Sequence, residues 1–232
     1  MPEEVNRVMA DHVTDFAFAP TEEAATNLAD EGIIEGAYVT GNTVVDACRE
    51  HRPIAENESN VLSDLNLRSG EYAVATIHQP RNTDTPERLR RVLTSLDGRD
   101  FPVVLPAHPR LIEETRAIGF EPAGSLRLVE PLDYLDFLEL VANARVVVTD
   151  SGGVQEEASV IEVPCLTVRP NTERPETIEA GVNELLEPED MGSRLDTVFG
   201  NDAVHESMTG HPNLYGDGMA GTRIVEILLG EL

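Results

Sequence analysis

Two short stretches carry residue types that could do chemistry together: Thr149-Asp-Ser-Gly-Gly-Val-Gln-Glu-Glu157 and Asn171-Thr-Glu-Arg-Pro-Glu176. Residues 144–148 are apolar apart from Arg145 and read as a buried strand, and from Val154 the pattern reads as a helix. Ser151, Gly152 and Gly153 therefore fall on the turn between them. Two glycines let backbone N–H groups approach an anion closely, and a helix start adds unpaired N–H groups and the positive end of its dipole. A diphosphate fits that description. A carboxylate beside a diphosphate would be repelled, so Glu157, one turn into the helix, is better placed to accept hydrogen bonds from ribose hydroxyls. Arg174 offers a planar cationic fork for phosphate or sugar oxygens. Taken alone the turn is a weak signal, because many α/β proteins use one merely to reverse direction.

The surrounding pattern says how these residues are positioned. From Glu71 onward, strands near residues 72–77, 103–106, 126–129, 146–149 and 166–168 alternate with helical stretches. That alternation indicates an α/β fold with a doubly wound, Rossmann-like parallel sheet. Ligands of such sheets bind at the carboxyl ends of the strands, where His78, His108, Glu130, Ser151 and Arg169 all fall. Earlier in the chain, residues 5–10 are helical, 16–19 and 38–40 are short strands, 21–30 is a helix, and the stretch Gly41–Cys48 turns directly into another. Two short strands cannot form a sheet covered on both faces, so residues 1–51 are expected to be the remnant of a second Rossmann-like domain. Residues 52–69, polar and broken by Pro53, are expected as a linker, and 70–212 as the complete domain. The last helix, about residues 217–229 within a closing segment 213–232, gathers Ile224, Val225, Leu228 and Leu229 on one face that must pack.

Composition narrows the partners. The 232 residues carry 17 Lys+Arg against 43 Asp+Glu, a net charge of −26, and every one of those cations is arginine. Nucleic acid would be repelled over most of such a surface. The acid is dispersed and lysine is missing, which favours a solvated surface adapted to very high salt over an acidic patch for a basic partner; an extreme halophile is the expected host. Cys48 and Cys165 lie in apolar settings and read as buried free thiols, fitting a reducing cytoplasm. No long apolar span or signal peptide is present in the sequence, no His/Cys/Asp spacing suggests a metal, and no redox cofactor motif occurs.

Six motifs taken together, Pro2-Glu-Glu-Val-Asn-Arg7, Phe18-Ala-Pro-Thr-Glu22, Thr40-Gly-Asn-Thr-Val44, Asp150-Ser-Gly-Gly-Val-Gln-Glu-Glu157, Thr172-Glu-Arg-Pro-Glu176 and Asn213-Leu-Tyr-Gly-Asp-Gly218, closely resemble the non-hydrolysing UDP-N-acetylglucosamine 2-epimerases. The resemblance runs essentially end to end. It implies a GT-B-like arrangement of two Rossmann-like halves with the sugar nucleotide between them and a final helix that crosses back onto the first half. Most of that first half is expected to be absent here, through fragmentation, a misplaced start or a split gene.

The resemblance also implies roles. Ser151, Gly152 and Gly153 would hold the diphosphate, Glu157 the ribose, and Arg174 would line the same cleft. Phe137 would pack on the uracil with the Leu132 backbone beside it, although an aromatic among Leu135, Leu138 and Leu140 otherwise reads as core. His78 is the family's strand-end histidine; the bland reading is a capping residue. Glu3 and Arg7 would face the reacting sugar, although Glu3 and Glu4 could simply be favourable charge at a helix start. The C2 proton of the sugar is too weakly acidic for simple abstraction, so inversion would run by expelling UDP and adding it back, without a cofactor. The charge of the leaving group would then be met by Ser151 to Gly153, His78 and Arg174. One departure stands out: this chain reads His78-Gln-Pro-Arg-Asn82 where the family usually follows the histidine with Arg and then an acid before Asn. The expected ligands are UDP-GlcNAc and UDP-ManNAc, in a pathway to surface polysaccharide, and the family implies a homodimer. A GT-B glycosyltransferase on the same nucleotide platform, and a non-catalytic UDP-binding fragment, are the alternatives.

Overall fold

The computed structural model describes the backbone of residues 2–231 and the side chains of residues 4–230. It divides into two compact units, one joining the chain up to Glu50 with the chain from Asn213 onward, the other His51–Pro212. The first unit begins with α1 (Pro2–Val13), β1 (Ala17–Ala19), α2 (Glu22–Asp30), β2 (Ala37–Val39) and the start of α3 (Thr43–Glu58). β1 and β2 pair in parallel, with Phe18 opposite Tyr38. α2 starts where it does because the Thr21 hydroxyl accepts the Ala24 N–H at 3.1 Å, with Glu22 and Glu23 complementing the dipole in the first turn.

The second unit continues with α4 (Val61–Asp64), β3 (Ala73–Thr76), α5 (Pro80–Thr83), α6 (Pro86–Leu96), β4 (Val103–Pro106), α7 (Pro109–Ala117), β5 (Leu126–Val129), α8 (Tyr134–Ala142), β6 (Val146–Thr149), α9 (Gly152–Ile161), β7 (Cys165–Thr167), α10 (Pro175–Glu179), β8 (Asn183–Leu185), α11 (Pro188–Gly200) and α12 (Asp202–Ser207). Its six strands are all parallel, in the order β5-β4-β3-β6-β7-β8. Counted from β3 this is 3-2-1-4-5-6, the doubly wound order. Alternate side chains supply two separate apolar layers, as a sheet buried on both faces requires. Ala73, Ala75, Val103, Val146 and Val148 pack with Leu89, Val92 and Leu93 of α6 and Met191 and Leu195 of α11. Tyr72, Val74, Val104 and Val147 pack with Leu140 and Val141 of α8 and Val154 of α9.

The linker expected over residues 52–69 is mostly helical. α3 runs on through Pro53 to Glu58, Ala55 and Val61 are buried, and Leu62, Leu65 and Leu67 pack against the second apolar layer. The polar residues that suggested a linker are the solvated side of these helices, whose apolar positions face the core.

The last helix, α13 (Ala220–Glu231), belongs to the first unit. Asp46 accepts its opening N–H groups, from Ala220 at 3.2 Å and Gly221 at 2.9 Å. Gly41, with φ +89°, lets the chain pass where a Cβ would come within 3.1 Å of the Tyr215 carbonyl, which accepts the Asn42 N–H at 2.8 Å. The expected packing face is narrower than the sequence suggested: Ile224 and Leu228 are half-buried, but Val225 and Leu229 are exposed, one step further round the helix. Among the described residues no helix is long and apolar enough to cross a membrane.

Candidate functional site

Strand order reverses between β3 and β6, and an open α/β sheet leaves its ligand crevice at that point. The two strands end level, Thr76 opposite Thr149, with their hydroxyls 2.6 Å apart. His78 leaves the end of one and Ser151 the end of the other. The sequence-expected residues His78, Ser151, Gly152 and Gly153 are thus brought to one edge by register alone.

The local turn leaves a defined set of donors. Ser151 is the N-cap of α9: its N–H is taken by the Thr149 hydroxyl at 2.9 Å and its own hydroxyl lies 3.5 Å from the Val154 N–H. Helix geometry gives the amides of Gly152 and Gly153 no intrahelical acceptor, so these are the two the cap leaves for an anion. Neither glycine is needed for the fold itself. Neither has a positive φ, and a Cβ added to either would meet nothing nearer than 3.9 Å.

The residue that organises this edge is Asp150, whose role the sequence did not reveal. It is fully buried, and its carboxylate accepts the His78 N–H (3.0 and 3.2 Å to the two oxygens), the Gln79 N–H (3.0 Å) and the Asn82 side-chain amide (2.9 Å). The His78 Nδ1 lies 3.1 Å from the same carboxylate. This hydrogen bond holds the imidazole pKa above its ordinary value, against the opposing effects of burial and of Arg169. Buried Asn82 also donates to the Val168 carbonyl at 3.1 Å and accepts from Arg88 Nε at 2.9 Å, so the loop after β3 is anchored to the ends of both β6 and β7.

A second buried network fixes the Thr172-Glu-Arg-Pro segment. The Thr172 hydroxyl donates to Gln155 Oε1 at 2.6 Å and accepts the Arg174 N–H at 3.0 Å, while Asn183 donates to Gln155 Oε1 at 3.1 Å and to the Thr177 hydroxyl at 3.0 Å. Glu156, which from the sequence reads as a helix-surface acid, is buried and paired with Arg174 Nε. The Arg174 Nη1 donates to the Glu173 carbonyl at 2.8 Å. Part of the guanidinium expected to serve a ligand is therefore committed to holding its own loop. Beside it Arg169 makes a two-pronged pair with Glu173, whose carboxyl is held below its ordinary pKa by that pairing.

Glu157 is half-buried one turn into α9, and burial, reinforced by the charge of Glu156, pushes its pKa up to about 7. Such a carboxylate gains from hydroxyl donors, which would restore the charged form. Leu132 and Phe137 are half-buried and pack against the apolar layer that contains Val154 of α9. His108 caps α7, its Nδ1 accepting the Arg110 N–H at 3.3 Å. Arg7 lies in the first unit with its guanidinium bound by Glu4 (2.6 Å), Asp11 (2.8 Å) and Glu31 (2.6 Å). The Glu3 side chain lies outside the described residues. Among the described residues no group of three or more His, Cys, Asp or Glu is placed to hold a metal.

The sequence profile of the family described as UDP-N-acetylglucosamine 2-epimerase matches residues 1–229. The chain belongs to that family. A UDP-N-acetylglucosamine 2-epimerase of Methanocaldococcus jannaschii is 39% identical over 98% of this chain and 64% of its own length. The crystal structure of the M. jannaschii UDP-GlcNAc 2-epimerase in complex with UDP-GlcNAc and UDP superposes with a TM-score of 0.84 at 38% identity, over 99% of this chain and 65% of that one. The Neisseria meningitidis UDP-GlcNAc 2-epimerase bound to UDP-GlcNAc gives a TM-score of 0.89 at 29% identity, over 99% and 65%. The α/β, GT-B-like fold class expected from the sequence is that of these family members. The chain spans just under two thirds of the length of the relatives it matches.

Proposed function

We propose that this chain supplies the nucleotide-holding side of an enzyme that interconverts UDP-GlcNAc and UDP-ManNAc by eliminating and re-adding UDP. The observation that carries the reading is the pair of amides at Gly152 and Gly153, left unclaimed by the Ser151 cap, at the strand-order reversal beside His78. These N–H groups and the imidazole take up the charge that collects on the β-phosphate oxygen as the bond from C1 to oxygen breaks. Glu157 accepts from the ribose hydroxyls, Phe137 and Leu132 flank the uracil, and Arg174 braces the loop while offering its remaining donors to the diphosphate. Glu3 and Arg7 act on the sugar, Glu3 as one of the carboxylates that move the C2 proton. The rest of the site comes from sequence matching the third of the relatives that this chain does not span, on the same or a separate polypeptide.

The wider setting follows from composition and family. Dispersed acid and the lack of lysine support a halophilic host, and the burial of both cysteines, Cys48 and Cys165, in apolar surroundings is in keeping with a reducing cytoplasm. A homodimer and a role in polysaccharide precursor supply are what membership of the family supports.

Calorimetry of the chain in molar KCl is expected to register UDP binding, with conversion of UDP-GlcNAc appearing only when a polypeptide matching the unspanned third is added. Failure to bind UDP would overturn the nucleotide assignment, and rapid conversion by the chain alone would overturn the division of labour.

A further inference from the structure

We propose that Asp150 is the positioning residue for His78, fixing the imidazole so that Nδ1–H faces the buried carboxylate and Nε2 is presented to the diphosphate. This rests on the nucleotide-binding reading above. An ionised carboxylate only accepts hydrogen bonds, so the Nδ1 atom 3.1 Å from it must carry a proton in either charge state of the ring. The tautomer is thereby decided. The ring cannot drift either, because the same carboxylate also holds the backbone N–H of His78 and of Gln79, and Asn82 ties it to the Val168 carbonyl. The imidazole itself is over half exposed, its side chain retaining 55% of its accessible surface, so Nε2 is within reach of a ligand.

Burying a charge that merely braces a loop is costly when neutral acceptors would serve. A charged acceptor does something a neutral one cannot: it favours the imidazolium. The charged groups acting on the ring are Asp150 at the end of β6 and Arg169 at the end of β7, and Arg169 is itself largely neutralised by Glu173. As the C1–O electron pair moves onto the β-phosphate oxygen, Nε2–H donates a hydrogen bond to that oxygen, and no proton need be transferred. Asp150 touches no substrate in this scheme and acts only through His78.

Nitrogen NMR of the full chain in molar KCl tests the geometry directly. His78 is expected to titrate above its ordinary value of 6.5 and to be Nδ1–H when neutral. An Nε2–H tautomer would overturn the proposal, whether or not the protein binds UDP. UDP affinity measured across pH for wild type, Asp150→Asn, His78→Ala and the double variant tests the linkage. Asp150→Asn is expected to flatten the pH dependence and weaken binding at pH 7 about tenfold, the scale of one charge-assisted hydrogen bond, yet to change little in the His78→Ala background. An equal loss in both backgrounds would make Asp150 a plain brace and refute its action through His78. If Asp150→Asn does not fold, the wild-type tautomer decides. Absence of UDP binding by wild type would instead sink the nucleotide reading alone.

Discussion

Replacing Gly153 with alanine separates what the glycine does for the fold from what it does for a ligand. A Cβ there meets only the Ser151 hydroxyl oxygen, at 3.9 Å, which is ordinary contact, and the backbone is not in the left-handed region. Alanine is the better helix former, so the ligand-free protein should be unchanged or stabilised by up to about 1 kcal/mol, roughly 2–4 °C in Tm for a chain of this size. Binding should move the other way. A phosphate oxygen on the Gly153 amide sits about 2.9 Å from the nitrogen, and a methyl beside it crowds that approach. The loss is bounded by one charge-assisted hydrogen bond, about 1.5–3 kcal/mol, or roughly 10- to 150-fold in Kd for UDP. Scanning calorimetry and titration calorimetry on the same preparation in molar KCl read both quantities. Unchanged UDP affinity would refute the placement of the diphosphate. A fall in Tm of more than a few degrees would show instead that the glycine serves the fold.

Four further outcomes follow from the same geometry. The raised pKa of Glu157 means that the folded state holds a proton the unfolded chain has released between about pH 4.5 and 7; this group's contribution is full below 4.5 and lost as pH rises through 7. Glu157→Gln should therefore gain Tm relative to wild type on going from pH 5 to pH 8, and UDP binding to wild type near pH 7 should release protons, visible as buffer-dependent enthalpy; a flat Tm difference refutes the first. Gln155→Leu strands the Thr172 hydroxyl and the Asn183 amide in a buried setting and should cost about 1–3 kcal/mol by denaturant titration. Glu162, exposed at the end of α9 with φ 65°, is strained by its Cβ, so Glu162→Gly should stabilise by about 0.5–1 kcal/mol in the same assay.

The strands were legible because a parallel sheet buried on both faces writes unbroken apolar runs, such as Val146, Val147 and Val148, into the chain. The anion turn was legible for a similar reason: Ser, Gly and Gly at a strand end are local signals. What escaped were residues whose meaning depends on partners far away in sequence. Asp150 reads as one more acid in an acidic chain until the loop 72 residues earlier is folded onto it. Its signal was an acid directly after a buried strand, level with the strand that launches His78. Glu156 and Glu157 are neighbours of identical type, yet helical geometry sends one into a buried pair with Arg174 and leaves the other half-buried without such a partner. Residues 52–69 misled because polarity was averaged over a stretch in which Ala55 of α3 and Val61 of α4 are buried.

The first unit is closed by bonds between residues far apart in the chain, Asp46 to Gly221 and Thr40 to Arg223, 175 and 183 positions apart. At about 5–20 residues per second on the ribosome, roughly 10–35 s separate the synthesis of these partners. The unit His51–Pro212 is fully synthesised before α13 exists. The usual order of birth is therefore inverted. Thr40 and Asp46 are made early, and the partners that complete their bonds, Arg223 and Gly221, come last.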